Sequence, residues 1–461
     1  MYFKQITTPG LGCFSYIIGC PAAREMVVID PKRDIQDYLD ISQQEGMKII
    51  HAIDTHVHAD HISGTHELKS QTGCDIMVYE SSPVNYPFTP LKEGDAFKIG
   101  NAGLEVLSTP GHTPDALSLL VTDFSRGDEP WIILTGDVLF VGDIGRPDLV
   151  GDAKLDEQIA NLYNSLYVKL AQYPDHLEVF PAHGAGSLCG RGMSSKPSST
   201  LGFERRHNKM LGFNSYESFH FAMNKEFPAR PKSFTHIIST NASGAPLLER
   251  CPVDLAMAPE QFEERMLAGA VVLDVRDTAS YGGYHIPGSL NIGFSDALAN
   301  WIGMVVEPQA DLLLVIDSQA DYDRMRTELH RIGYDNILGY LKGGISAWVY
   351  SGRPVNRLSI DSAQEIQTNM EQGETLSLID VRTPVETESG ILPGATLIPL
   401  DKILAGDFSL SEDGHHILYC ASGYRSNIAA SYLQQKGYWD VRAMAGGFLA
   451  WTRAGYPTSQ Q

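Results

Sequence analysis

The chain repeats itself, and the period of that repeat limits what its second half can be. Val271-Val272-Leu273-Asp274-Val275-Arg276 returns as Leu378-Ile379-Asp380-Val381-Arg382, which puts Asp274 and Asp380 106 positions apart (380 − 274). Pro287-Gly288 and Pro393-Gly394 keep the same offset. Gly343-Gly344, Trp348, Gly352 and Pro354 recur as Gly446-Gly447, Trp451, Gly455 and Pro457 at an offset of 103 (446 − 343), so the second copy carries a net three-residue deletion. Each copy alternates short apolar strands with helices, the pattern of a doubly wound parallel sheet. At roughly 150 residues per domain, 461 residues suggest about three domains. The expected division is 1–240, a linker over 241–254, and the copies at 255–355 and 356–461.

The first 240 residues centre on Thr55-His56-Val57-His58-Ala59-Asp60-His61. Met47 to Asp54 reads as a buried strand and Ile62 to Thr72 as a helix, so the histidines occupy a strand-to-helix loop. Further strands are expected at Ser15–Gly19, Glu25–Asp30, Asp75–Tyr79, Leu104–Leu107, Leu117–Val121 and Trp131–Leu134, with helices at Ile35–Gln44 and Leu155–Gln172. Three more polar residues stand where apolar strands stop: His112 after Thr109-Pro110-Gly111, Asp137 after Leu134-Thr135-Gly136, and His183 after Phe180-Pro181-Ala182. Neutral imidazoles and carboxylates gathered in this way converge on a metal ion. A solvated His-rich loop would leave the three later residues unexplained.

Composition excludes some functions. Acidic residues outnumber basic ones 56 to 35, for a net charge of -21, which argues against a nucleic-acid or anionic-membrane partner. The N-terminus lacks a basic stretch followed by an apolar one, and no apolar run approaches the ~18 residues of a membrane span. A cytoplasmic protein is expected. The six cysteines have no paired spacing and read as free thiols.

With its H-x-H-x-D-H loop followed by single His, Asp and His residues, the first domain resembles the metallo-β-lactamase superfamily. Within it the chain looks most like the persulfide dioxygenases, with the glyoxalase II thioesterases as close relatives. The copies resemble rhodanese domains. The fold implied is α/β throughout: an αββα sandwich followed by two doubly wound parallel-sheet domains. Copy two carries the rhodanese active loop, Cys420-Ala421-Ser422-Gly423-Tyr424-Arg425, between the strand Ile417–Tyr419 and a helix that Ser426 is suited to cap.

The resemblance implies that His56, His112 and Asp137 hold one Fe(II) per chain, a two-histidine, one-carboxylate set with open positions for O₂ and substrate. His58, Asp60, His61 and His183 would orient ligands and water. The same residues would hold two zinc ions in a hydrolase, and spacing alone does not choose between the two. The fused rhodanese copies favour the dioxygenase, because sulfur transfer makes or consumes persulfide and sulfite. Arg146 is a candidate clamp for a carboxylate of a thiol carrier such as glutathione. Cys189 is a candidate acceptor of sulfane sulfur, with ordinary burial as its rival.

Cys420 is the clearer nucleophile, since a helix N-terminus favours a sulfur anion and Arg425 adds positive charge. Four residues separate Cys420 from Arg425, the sulfurtransferase loop size; cysteine phosphatases typically have one more. Copy one has no cysteine in this loop and carries Asp317, Asp321 and Asp323 instead, which reads as a spacer or docking module. The expected partners are a small-molecule persulfide or thiol, O₂, and sulfite or thiosulfate, and family analogy alone speaks for a homo-oligomer. The rivals are a dinuclear zinc thioester hydrolase and a persulfide carrier or sensor with a vestigial metal site.

Overall fold

The computed structural model describes residues 1–225, 227, 229–248, 255–411 and 414–460. Contacts divide the chain into two units, residues 1–251 with 327–333, and residues 252–326 with 334–461. Of the expected linker, 241–243 finish the helix Ser233–Ser243, and 249–254, with Cys251, lie outside the described residues.

The first unit is built on two six-stranded sheets. One runs in chain order, Tyr2–Thr8, Cys13–Cys20, Glu25–Ile29, Lys48–Ile53, Asp75–Tyr79 and Thr89–Leu91. The other has the order Ser199–Thr200, Glu178–Pro181, Ile132–Gly136, Leu117–Asp123, Ala102–Ser108 and Ala96–Ile99. The strand Cys13–Cys20 is buried along its whole length, which uses both faces of the pleat. Phe14, Tyr16 and Ile18 join Leu104, Val106, Leu119 and Val121 between the sheets. Ile17 joins Tyr38, Ile41 and Leu68 of the helices Gln36–Glu45 and Thr65–Thr72 on the outer side. On the second sheet Leu120 and Ile133 face outward onto Ile159, Leu162, Leu166 and Phe219. Four layers, αββα, result.

The single helix expected over Leu155–Gln172 is helical throughout but not uniform. An α-helix, Leu155–Asn164, widens to a π-turn at Ser165–Lys169 and tightens to 3₁₀ at Leu170–Gln172. The wide turn is tied down from outside the helix: Ser165 Oγ donates to Pro110 O at 2.7 Å, and Lys169 Nζ donates to Ser108 O at 2.7 Å. Both acceptors lie on the segment leading to His112.

In the second unit each copy is a five-stranded sheet with every pairing parallel. The strand orders correspond: Leu255–Met257, Ile337–Leu341, Leu312–Val315, Val271–Asp274, Leu290–Asn291 in copy one, and Ile360–Asp361, Val441–Met444, His416–Tyr419, Ser377–Asp380, Thr396–Leu397 in copy two. The repeat extends to buried chemistry. Arg276 closes on Asp274 and Arg382 on Asp380, each at 2.6 Å. Each arginine also donates to a carbonyl eight residues on, Tyr284 and Gly390. Trp348 Nε1 donates to Pro354 O and Trp451 Nε1 to Pro457 O. No helix among the described residues is long and apolar enough to cross a membrane.

Candidate metal centre and sulfur-binding loop

His56, His112, Asp137 and His183 stand one to four residues past the strands Lys48–Ile53, Ala102–Ser108, Ile132–Gly136 and Glu178–Pro181, and all are at most 2% exposed. His112 Nε2 lies 3.2 Å and His56 Nε2 3.8 Å from Asp137 Oδ2. These three atoms are buried and have no hydrogen-bond partner. Buried polar atoms are rarely left unpaired, so three converging ones form a ready-made cation site.

The remaining atoms of the triad are fixed. His112 Nδ1 donates to Arg146 O at 2.9 Å, which leaves the Nε2 lone pair facing the cluster. His56 Nδ1 meets Thr55 Oγ1 at 3.0 Å, and that hydroxyl donates to Asp30 Oδ2, so it accepts from His56. Burial, with the neighbouring His58, pushes His56 well below the usual imidazole range, and burial also lowers His112, which favours the neutral form of both rings. Burial works against the Asp137 carboxylate, but His183 and His112 bring it below the usual range. Gly111, at φ 143°, lets the helix press on this loop, since a Cβ there would stand 2.4 Å from Leu162 Cα.

The other histidines are occupied differently. His183 bonds Asp137 Oδ1 through Nδ1 at 2.6 Å and Asp60 Oδ2 through Nε2 at 2.8 Å. Burial works against its charge, but the Asp137 and Asp60 carboxylates raise it well above the usual imidazole range. His58 turns Nε2 to Asp30 Oδ1 at 3.1 Å and leaves Nδ1 unpartnered. His61 Nδ1 faces Asp60 Oδ1 at 3.3 Å, with Nε2 unpartnered.

Two residues here had no motif to announce them. Cys13 Sγ donates to Asp60 Oδ2 at 3.0 Å and lies 3.9 Å from His61 Nδ1. Asp30 has a left-handed backbone, φ 50°, and accepts from Thr55 N at 2.7 Å as well as from Thr55 Oγ1 and His58. Cys189 is 1% exposed and lies with Asp137 and His183 in one cluster; burial pushes its thiol well up.

Arg146 does not offer a clamp to a substrate. It is 2% exposed, and its fork closes on Asp148 with two bonds of 2.7 Å while Nη1 reaches Leu188 O. An aspartate two residues away satisfies the planar guanidinium bidentately, and the arginine serves the site through its carbonyl, which holds His112.

In copy two Cys420, 1% exposed, ends the strand His416–Tyr419. Gly423 N donates to its Sγ at 3.1 Å. The helix begins earlier than a Ser426 cap would have it: it spans Tyr424–Gln435 and is capped by Gly423 at φ 98°. Ser426 sits inside its first turn, with Oγ 3.1 Å from Gly423 O and 3.8 Å from Cys420 Sγ. Gly447 lets the next loop close over this one, because a Cβ there would lie 2.2 Å from Cys420 O. Arg425 is bound to both oxygens of Glu386, one at 2.7 Å. Burial raises that carboxyl, but Arg425 and the Thr383 N–H bring it down to about 2.

Register identifies the degenerate site. Val315 pairs with Asp274 as Tyr419 pairs with Asp380, so Ile316, 3% exposed, stands in the place of Cys420 and Asp321 in that of Arg425.

The family models match separate stretches of the chain. The metallo-beta-lactamase superfamily matches residues 8–183, and the rhodanese-like domain matches 258–351 and 362–454. Over 187 residues the chain is 33% identical to the mitochondrial persulfide dioxygenase ETHE1 of Mus musculus, covering 39% of this chain and 67% of that protein. Over 98 residues it is 37% identical to a sulfurtransferase of Allochromatium vinosum, covering 21% of this chain and 91% of that one. A crystal structure of a metallo-beta-lactamase from Staphylococcus aureus superposes with a TM-score of 0.68 at 32% identity, covering 74% of this chain and 98% of that one. The chain belongs to the persulfide dioxygenases of the metallo-β-lactamase superfamily and carries two rhodanese domains in the same polypeptide.

Proposed function

We propose that this chain oxidises a low-molecular-weight persulfide, glutathione persulfide or a close analogue, with O₂, and that its copy-two rhodanese domain transfers sulfane sulfur through Cys420. The first reaction is RSSH + O₂ + H₂O → RSH + SO₃²⁻ + 2H⁺. The observation that carries it is the triad of His56 Nε2, His112 Nε2 and Asp137 Oδ2, buried, convergent and without partners. Two histidines and one carboxylate suit Fe(II), which His56, His112 and Asp137 would hold and which would supply the activation of O₂ toward the persulfide sulfur.

The chain's own part is to hold that set rigid. Thr55 and the Arg146 carbonyl fix the two imidazole tautomers. His183, bonded to both Asp60 and Asp137, leaves Asp137 a single free oxygen. A thioester hydrolase with a second metal would draw on Asp60, His61 and His183. Cys13, Asp60, His61 and His183 do stand close enough to hold a second ion, so what favours the dioxygenase is the pair of rhodanese domains in the same chain.

At Cys420 the Gly423 N–H and the helix N-terminus support a sulfur anion and the persulfide that follows from it. Thiosulfate or sulfite would be the small-molecule partner there. The test is oxygen consumption on adding glutathione persulfide to Fe(II)-loaded protein, with a zinc-loaded control. Uptake by the iron form alone, with sulfite appearing, is expected; no uptake with either metal would end the dioxygenase reading.

A further inference from the structure

Copy one has no nucleophile, yet it contributes part of the wall beside one. A cleft of about 400 Å³ within the second unit is lined by Ser422, Gly423 and Tyr424 of the Cys420 loop, and Gly423 is the residue whose N–H points at Cys420 Sγ. The same cleft is lined by Asp317 and Asp321 from the degenerate loop. Tyr424 Oη donates to Gly293 O at 2.7 Å, and Asn427 Nδ2 donates to Asn291 Oδ1, which ties the two copies together beside the cleft.

Arg276 and Arg425 near this space are paired with carboxylates, while Arg324 keeps its charge on an aromatic face, against three lining carboxylates. Arg276 lines it but is closed on Asp274. Arg425 is closed on Glu386. Arg324 stacks on the lining Phe294, its Cζ 4.5 Å from the ring centre. Asp277, a third carboxylate of the lining, accepts from Ala279 N and Ser280 N. A carrier entering this cleft therefore meets net negative charge, with Asp321 standing where the repeat has Arg425 in the active copy.

We propose that copy one is the specificity wall of the Cys420 sulfurtransferase, and that Asp317 and Asp321 select a low-molecular-weight thiol bearing an ammonium group as the carrier. The inference rests on the sulfurtransferase reading above and adds the carrier's chemical class. In the transfer, the carrier thiolate attacks the outer sulfur of the Cys420 persulfide. A carrier S–S bond forms, the Sγ–S bond breaks, and its electron pair leaves on Sγ. The carrier's thiol proton goes to solvent or to Sγ. One thiol and one persulfide become another such pair, and no external oxidant or reductant is required. The carboxylates act by attracting the ammonium and repelling purely anionic thiols, an effect that salt screens.

The experiment uses the full chain, loaded with sulfane sulfur by excess thiosulfate, which the same wall slows without excluding, and desalted, with loading confirmed by the mass of the intact chain. Discharge is timed with cysteamine, with 3-mercaptopropionate, and with cyanide, which reacts as the small CN⁻ anion and reports that the loaded sulfur can be reached. The wild-type ratio of cysteamine to 3-mercaptopropionate rates, each taken relative to cyanide, should fall about tenfold in D317N/D321N, the scale of two partly screened charge pairs. In the wild type, added salt should reduce the same ratio, and in the variant salt should have little effect. D317E/D321E should restore the preference. A ratio unchanged by D317N/D321N, or insensitive to salt in the wild type, overturns the proposal and leaves the sulfurtransferase standing. No discharge to any acceptor, cyanide included, overturns both.

Discussion

Asp137 divides its carboxylate: Oδ1 is bonded to His183 Nδ1 at 2.6 Å, while Oδ2 has no protein partner and faces His56 and His112. His183 therefore decides which oxygen is available to a metal. His183→Asn should weaken metal retention by roughly 10- to 100-fold, the usual cost of losing a group that orients a ligand. Chelator competition measures this directly; unchanged affinity would show that Asp137 is held by the fold alone.

The two chemistries should separate by mutation. His112→Ala should abolish oxygen uptake from ready-made persulfide, whereas Cys420→Ser should leave that uptake largely intact and abolish sulfur transfer. An oxygen electrode and a sulfane-sulfur assay on the same preparations check both. Loss of uptake in Cys420→Ser with persulfide supplied would break the division of labour.

Returning a cysteine to copy one should not return its activity. In Cys420→Ser, adding Ile316→Cys puts a thiol in the nucleophile's register but beside Asp317 and with Asp321 in the place of the arginine. Negative charge there disfavours both thiolate and persulfide anion. Sulfane-sulfur loading should stay at background, and alkylation of the new thiol by iodoacetamide should be slow. Loading comparable to the wild type would refute the electrostatic account.

The Glu386–Arg425 pair gives the copy-two loop a pH signature. The carboxyl of Glu386 sits at about 2 in the folded chain, below the ~4.3 of an unperturbed glutamate. A depressed folded value means stability that is present above the unfolded value and lost as pH falls toward the folded one. Wild type should be more stable than Glu386→Gln near neutrality by on the order of 1 kcal/mol once solvent screening is allowed for, and should melt at a correspondingly higher Tm. The gap should close between about pH 4 and about pH 2. Thermal melts across that range test it; a gap independent of pH would assign the effect to packing.

Much of this was legible because the informative residues are close in sequence or periodic. His56, His58, Asp60 and His61 share one turn, and the repeat shows itself through a constant offset. Strand centres were also readable, as at Asp75–Tyr79, because both faces are apolar there. Cys13 and Asp30 were not. They reach Asp60 and Thr55 only through the strand pairing that brings distant segments together, and no local pattern encodes that. Arg146 was misread because its partner, Asp148, is a near neighbour whose geometry needed the backbone turn to be known. Ser426 was misread because the helix start depends on the dihedral of Gly423 rather than on a capping side chain. The mixed helix over Leu155–Gln172 comes from anchors at Ser108 and Pro110, far off in sequence.

Asp30 carries a consequence for anyone moving this centre elsewhere. It is one of two non-glycine residues with positive φ among those described, and its carboxylate holds both Thr55 and His58. A left-handed aspartate persists only where the surroundings over-determine it, so the strand that carries it works as a jig for a loop twenty-odd positions downstream. A graft of the H-x-H-x-D-H segment onto another scaffold would bring the ligands without the jig, and its imidazoles would be free to pivot.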